Sequence, residues 1–335
     1  MDFFPQQQFH DDWGHLQDPH VRSLAWLLSS PHLLKQDPLT WDGANVAPTM
    51  PPMVDVAAFL TSLDQNPAAL HLCLKTHPTK RLGLYAETLL AFFLAHFYDL
   101  YAHGLQIHDG RARTIGEFDF LVRQPEGLVH WELATKFYLF FDEMPDVASN
   151  AAMSSTSNKV NLFNYLGPNL ADTLGAKMHK IVYQQLRLGE TLEARKVLPS
   201  PLFSVQAFIK GWLFYRDAKA FASAELVDGI ADEHCRGYIW CLNDLQQMAD
   251  FSGVILERLA WLAPVQISPH ESMSKQELLE KAMTLFSVIK TPVMLAITEV
   301  QQGFAREICR GMLVPDDWWE QARSASARLL PPQDP

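Results

Sequence analysis

Apolar residues recur at helical spacing over residues 21–34, with Leu24, Leu27 and Leu28 on one stripe, before a connector carrying Pro38, Pro48, Pro51 and Pro52. That connector marks a boundary or a wrapped loop. A second helical stretch covers residues 53–63. A third, residues 80–103, is apolar on most of its circumference, as a helix buried in a core is. After Gly104 the period changes. Residues 105–108 predict a short strand, Asp109-Gly110 a turn, residues 114–123 an alternating strand, Pro125-Glu126-Gly127 a second turn and residues 128–141 a third strand. Residues 142–161 are polar, rich in Ser and Asn and without period, which predicts a mobile loop. Asn169 then reads as the N-cap, and Asp172 as a first-turn acid, of a helix reaching residue 188. Residues 202–215 return to strand character. A strand at 254–262, a helix at 275–289, a strand at 293–300 and a helix after Asp316 complete the pattern. The expected architecture is α/β: an N-terminal helical cap (1–79), a core in the order αβββαβ (80–220) and a C-terminal α/β extension (221–335).

Composition narrows the class. In 335 residues, 48% are hydrophobic and 19% charged, enough apolar surface to build a sizeable core. No stretch approaches the ~20 apolar residues of a membrane helix, and residues 1–8 lack a secretory pattern, so a soluble cytoplasmic protein is expected. Cys73, Cys235, Cys241 and Cys309 show no metal or redox spacing and read as reduced thiols. The net charge of -11 argues against a general polyanion binder, but it is unevenly spread. Residues 1–79 hold three basic and eight acidic residues, residues 221–335 nine and sixteen, whereas residues 177–220 hold eight basic and three acidic. An anionic partner is therefore expected at the middle of the chain, unless that stretch is one solvated helix face.

The stretch richest in chemistry is Gly116-Glu117-Phe118-Asp119-Phe120-Leu121, followed by His130-Trp131-Glu132-Leu133-Ala134-Thr135-Lys136. Strand alternation puts Glu117 and Asp119 on one face and Phe118 and Phe120 on the other, with Glu132, Ala134 and Lys136 together on the next strand. Should Asp119 and Glu132 face the same way, two carboxylates meet across a ladder at ~5 Å and need a counter-ion. Hard oxygen ligands suit Mg or Mn, one or two ions, and a nearby lysine suits phosphodiester hydrolysis. An ordinary Glu–Lys ladder gives the same pattern. Glu87, alone in the apolar helix, is either a third ligand or the acceptor of a Tyr or His hydrogen bond.

The helix glutamate, the Gly-Glu-Phe-Asp strand, the Trp-Glu-Leu-Ala-Thr-Lys strand and the following Lys- and Gln-bearing helix together resemble the PD-(D/E)XK, restriction-endonuclease-like, nuclease superfamily over about residues 80–216. Arg81-Leu82-Gly83-Leu84-Tyr85, the two strands above and Leu166-Gly167-Pro168-Asn169-Leu170 look like an uncharacterised bacterial domain-of-unknown-function family spanning most of the chain. The nuclease resemblance implies that Asp119 and Glu132 bind metal, that Glu87 matches the helix glutamate and that Gln184 or Gln185 matches the helix glutamine. It also implies a nucleic-acid partner, DNA more than RNA. The chain departs from that pattern at Ala134, where the superfamily has lysine; Lys136 lies two residues on, toward the same face, displaced by roughly 7 Å.

The expected function is a Mg-dependent nuclease, with Asp119, Glu132, Lys136 and Glu87 as its site and Lys177, Lys180, Gln184, Lys210 and Arg216 along the nucleic acid. Two alternatives remain: a nuclease-like binding protein without chemistry, and a carboxylate-based hydrolase of another substrate. His10, Asp11, Asp12, His15 and His20 form an N-terminal cluster that fits no metal spacing.

Overall fold

A computed structural model of the chain describes residues 5–41, 43, 50–110, 113–142, 160–225 and 227–329. Residues 143–159 of the expected loop and 44–49 of the proline-rich connector lie outside the described residues.

Helices α1 (Pro5–Trp13), α2 (Pro19–Ser29), α3 (Met53–Gln65) and α4 (Ala68–Thr76) precede the apolar α5 (Leu82–Phe97). Then come β1 (Asp99–His108), β2 (Thr114–Gln124), β3 (Gly127–Phe140), β4 (Tyr165–Leu166), α6 (Leu174–Lys180), α7 (Leu192–Val197) and β5 (Leu202–Tyr215). The last third holds α8 (Ala218–Ala224), β6 (Cys235–Trp240), α9 (Leu242–Gln247), β7 (Ser252–Leu256), β8 (Gln266–Ile267) and β9 (Met273–Ser274). It ends with α10 (Lys275–Val288), β10 (Val293–Gln301), β11 (Phe304–Leu313) and α11 (Trp318–Ser326).

The strands form one mixed sheet in the order β1-β2-β3-β5-β6-β11-β10-β7-β9, with β4 on β3 and β8 on β11. β1, β2 and β3 are antiparallel neighbours, whereas β5 runs parallel to β3, β6 to β5 and β11 to β6. The expected order from α5 to β5 is therefore present. The sheet also continues through β6 without a break, so residues 221–335 extend one sheet. Side chains from α2, α3, α5 and α11 pack with Trp131, Phe137, Trp212 and Met312 on one face. On the other face, α6 and α8 cover β3 and β5, and α9 and α10 cover β10 and β11. Helices on both faces of a largely buried sheet make three layers.

Several boundaries differ from the expectation. The Tyr98 N–H donates to Leu94 O and ends α5, so β1 begins at Asp99 within the segment read as helix. β1 is an edge strand that is largely exposed, and so lacks an apolar alternation to betray it. α6 is capped by Thr173, whose side chain accepts from Ala176 N, rather than by Asn169. Residues 167–172 form a tight turn instead, closed by Gly167 N–H donating to Asp172 O (2.9 Å), with Leu170 at φ 54°.

The N-terminal histidines do not assemble. His10 is buried, its Nε2 donating to Glu307 O (3.1 Å) while Nδ1 accepts from Arg22 (3.4 Å); His20 Nδ1 meets Tyr85 Oη (2.8 Å). His234 is likewise buried, Nδ1 donating to Ala231 O and Nε2 accepting from Tyr215 Oη (2.7 Å). Burial first, then the neighbouring arginines, pushes His10 down to about 3, and burial chiefly pushes His234 down to about 4. Both bind their proton more weakly folded than unfolded, so stability should fall as pH drops below 6.5, by up to about 1.4 kcal/mol per histidine per pH unit. Urea titrations of His10→Gln and His234→Gln at pH 7 and 5 should show a smaller acid loss than wild type.

Candidate active site

The site lies at a fork between β2 and β3. Their ladder runs outward from the turn only as far as Phe120 opposite Trp131. Continued, it would set Asp119 against Glu132; instead the Asp119 Oδ2 accepts from the Leu133 N–H (2.8 Å). A carboxylate thus takes the ladder position of a carbonyl, and the strands part there. Gly104, opposite Asp119 on β1 and at φ +65°, supplies a left-handed kink that a side chain would strain. The simple alternation expected of β2 fails at this point. Phe118 packs with Ile107, Leu121 and Leu188, whereas Phe120 packs in the main core with Trp131.

Glu132 is buried at 2% exposure, while Asp119 and Glu87 are half-buried. The Glu132 Oε1 accepts from Gln185 Nε2, but Oε2 has no hydrogen-bond partner. The His130 Nε2 stands 3.5 Å from that oxygen, yet burial pushes His130 down to about 3, so the ring is neutral and forms no ion pair. Burial, then the charges of Glu132 and Glu87, raises Asp119 well above the usual carboxylate range. Burial also raises Glu132, aided by Glu87 and opposed by Lys136 and Lys180. Glu87 is raised by burial and by Glu117. These carboxyls crowd one another, and Lys136, Lys180 and Arg81 oppose their upward shifts only in part.

Lys136 stands beside them, its ammonium depressed first by burial, then by Lys177, and supported by Asp172, Glu132 and Asp119. Among the described residues that ammonium makes no hydrogen bond or ion pair. Ala134, between Glu132 and Lys136 on the same face of β3, lies under α6 in a cluster with Leu174 and Met178. Position 136 is the one that opens on a cleft of about 440 Å³, lined also by Lys80, Arg81, Gly83, Asp172, Lys177 and Arg258. Gly83 links cleft and carboxylates, because a Cβ there would stand 4.0 Å from Glu87 Oε1. Gly211 fixes the neighbouring backbone. A Cβ on it would stand 1.8 Å from Lys136 O, so Gly211→Ala should displace Lys136 and cost on the order of 3 kcal/mol, read by denaturant unfolding.

Of the expected site residues, Asp119, Glu132, Glu87 and Lys136 stand close enough to shift one another's proton affinity. Gln184 is exposed, and its neighbour Gln185 is the residue that reaches Glu132. The reason is a π-turn over Ile181–Gln185, where Leu186 N–H donates to Ile181 O (2.9 Å) and the extra residue turns the helix surface. Lys180 is exposed and close enough to act on Glu132. Lys177 lines the cleft and pairs with Asp172 (3.2 Å).

Two expected nucleic-acid contacts are placed elsewhere. Lys210 is buried in the core, donating to Ser30 O across the sheet, because its position on β5 alternates with Ile209 to the face opposite α6. Arg216 lies over the Trp319 ring (4.9 Å). The basic stretch at 177–220 is therefore not one surface, and the cationic cleft draws on Lys80, Arg81 and Arg258 from outside it. A larger apolar hollow of about 530 Å³, lined by Trp41, Phe163 and Met178, lacks the paired carboxylates.

Among the described residues, no three His, Cys, Asp or Glu side chains already stand as a metal-holding group. No helix among them is long and apolar enough to cross a membrane. No curated protein and no solved structure matches the chain. The segments bearing Arg81, Glu132, Lys136 and Asn169, which converge on this cleft, all fall within residues 22–314, where a family profile described as a domain of unknown function matches; the chain belongs to that family, DUF1853.

Proposed function

We propose that the protein hydrolyses phosphodiester bonds in nucleic acid with a divalent cation held by Asp119 and Glu132, Glu87 standing beside them. The observation that carries this reading is the fork itself. Two mutually repelling carboxyls adjoin an unpaired lysine at the edge of a cationic cleft. The donor set fits a hard cation. The buried Glu132 Oε2 lacks a partner, and positive charge there would offset the burial and the neighbouring carboxylates that raise both carboxyls. The restriction-endonuclease-like core suggested by the sequence is part of this proposal, supported by the order from α5 to β5 and by the parallel pairing of β3 with β5.

When bound, magnesium or manganese lowers the pKa of an attacking water and neutralises charge on the scissile phosphate. The protein's own groups do the positioning. Leu133 N–H fixes Asp119, and Gln185 fixes one oxygen of Glu132 while leaving the other for the cation. The Lys136 ammonium meets a non-bridging phosphate oxygen. Water oxygen bonds to phosphorus as the ester P–O bond breaks, and the water proton ends on the leaving oxygen through solvent in the cleft.

Incubation of the full chain with single- and double-stranded DNA and RNA tests this. Cleavage should need millimolar Mg or Mn, stop with EDTA and be lost in Lys136→Ala. Absence of cleavage of every substrate with either metal would contradict it, and retained binding without cleavage would favour the inactive nuclease-like reading.

A further inference from the structure

We infer that the cleft beside the fork is a pocket for a terminal phosphate monoester, so that the protein engages nucleic acid at the end of a strand. This rests on the phosphodiesterase reading, and the experiment below separates the two.

The cleft is built from residues far apart in sequence: Lys80 to Gly83 before and within α5, Lys136 on β3, the 167–172 turn, Lys177 on α6, and Arg258 after β7. Its volume of about 440 Å³ lies within the ~300–1,000 Å³ of small-ligand pockets. Five cationic side chains line it against the single carboxylate of Asp172, which Lys177 already pairs at 3.2 Å. Among the described residues, Lys80, Arg81 and Lys136 are in no ion pair, and Arg258 only covers the Trp261 ring at 4.0 Å. Four like charges thus converge on one hollow.

That surplus discriminates between phosphates. An internal phosphodiester carries one negative charge, whereas a terminal monoester carries close to two at neutral pH and offers three acceptor oxygens. α5 adds to the preference. This 16-residue helix starts at the cleft with no side chain capping its first amides, and Gly83 leaves the approach to them open. The dianion would sit between the α5 N-terminus and the lysines. Gly83 borders Glu87, so the next linkage along the strand would then reach the carboxylates at the fork.

Fluorescence anisotropy in EDTA tests this without chemistry. Three single strands of one sequence are compared: one with a 5′-phosphate, one with a 3′-phosphate and one with hydroxyls at both ends. One phosphorylated strand should bind wild type about tenfold tighter than the hydroxyl strand, and Arg81→Ala and Lys177→Ala should each remove most of that advantage. Both substitutions are at the surface of the cleft, so the fold should be retained. Equal affinity for all three strands would overturn the inference even if metal-dependent cleavage is found. An end preference without cleavage would uphold the pocket and fail the phosphodiesterase reading. Displacement by a mononucleotide monophosphate as strong as by the strand would assign the cleft to small phosphate esters and overturn strand-end binding.

Discussion

Asp119→Asn should abolish metal-dependent cleavage while raising the melting temperature of the metal-free protein at pH 8. Both halves follow from the fork. Losing even an outer-shell partner of a metal ligand costs about 10- to 100-fold in metal affinity or activity, so losing a ligand should cost at least about 100-fold. Stability should move the other way. The folded-state pKa of Asp119 is raised, so the native protein binds more protons than the unfolded chain as pH rises from the ordinary carboxylate range. That difference makes the carboxylate an increasing penalty with pH. The Asn oxygen can still accept from Leu133 N–H, and its NH2 can donate to a crowding carboxylate. A gain of roughly 1–3 kcal/mol is expected at pH 8, shrinking toward zero near pH 4, followed by thermal unfolding in EDTA. A melting temperature unchanged or lowered at pH 8 would mean that burial and the neighbouring carboxylates do not penalise the ionised Asp119.

The largest loss of stability should come from a different place, Arg310. Its guanidinium is fully buried and donates twice to Glu307, from Nε to Oε1 (2.6 Å) and from Nη2 to Oε2 (2.8 Å). It also donates to the carbonyls of Trp261 (2.5 Å) and Ala263 (2.7 Å) and lies over the Trp212 ring (4.1 Å). Glu307 in turn accepts from Val265 N–H (2.9 Å), so one buried pair ties the 261–265 segment to β11. Arg310→Met would strand a buried carboxylate and several carbonyls, a loss of about 3–5 kcal/mol by denaturant unfolding. Adding Glu307→Gln should recover part of that, because the uncompensated charge goes. Lack of any recovery would mean that the carbonyl contacts, rather than the stranded charge, dominate.

Neither half of that pair stood out in the sequence. Residues three apart on a strand face opposite ways, so Glu307 and Arg310 should not meet. A register shift opposite Ile297 and Thr298 inserts Ile308 as a bulge and brings them to one face. The same shift hid β11, since it breaks the alternation that reveals a strand. Only the first half of β1, residues 99–104, was hidden, and for another reason, its exposure at the edge. Where a continuous apolar run marks a strand buried on both faces, as in β3 and β10, the strands were legible. So was α10, whose Ser274 and Glu277 form a capping box.

The candidate site was legible in its members more than in its geometry. Glu132, Lys136 and Asp119 stood out as charges within apolar strands, and Glu87 as the lone acid of α5. The break in the ladder at Asp119 did not, because it depends on a side chain replacing a backbone acceptor. Choosing between Gln184 and Gln185 required the π-turn, which leaves no mark in residue type. His130 was missed as well, although it lies between Gly127 and Glu132 on β3 and buries a neutral ring against the carboxyl. Local charge density also misled at Lys210, because β5 is covered on both faces and neither parity of its positions there reaches solvent.

Titration calorimetry of manganese into the metal-free full chain, wild type beside Asp119→Asn, tests the site most directly. Wild type should bind one or two ions saturably and Asp119→Asn should lose that binding, with both proteins folded by circular dichroism. Identical titrations of the two folded proteins, or no binding to wild type at millimolar manganese, would contradict it.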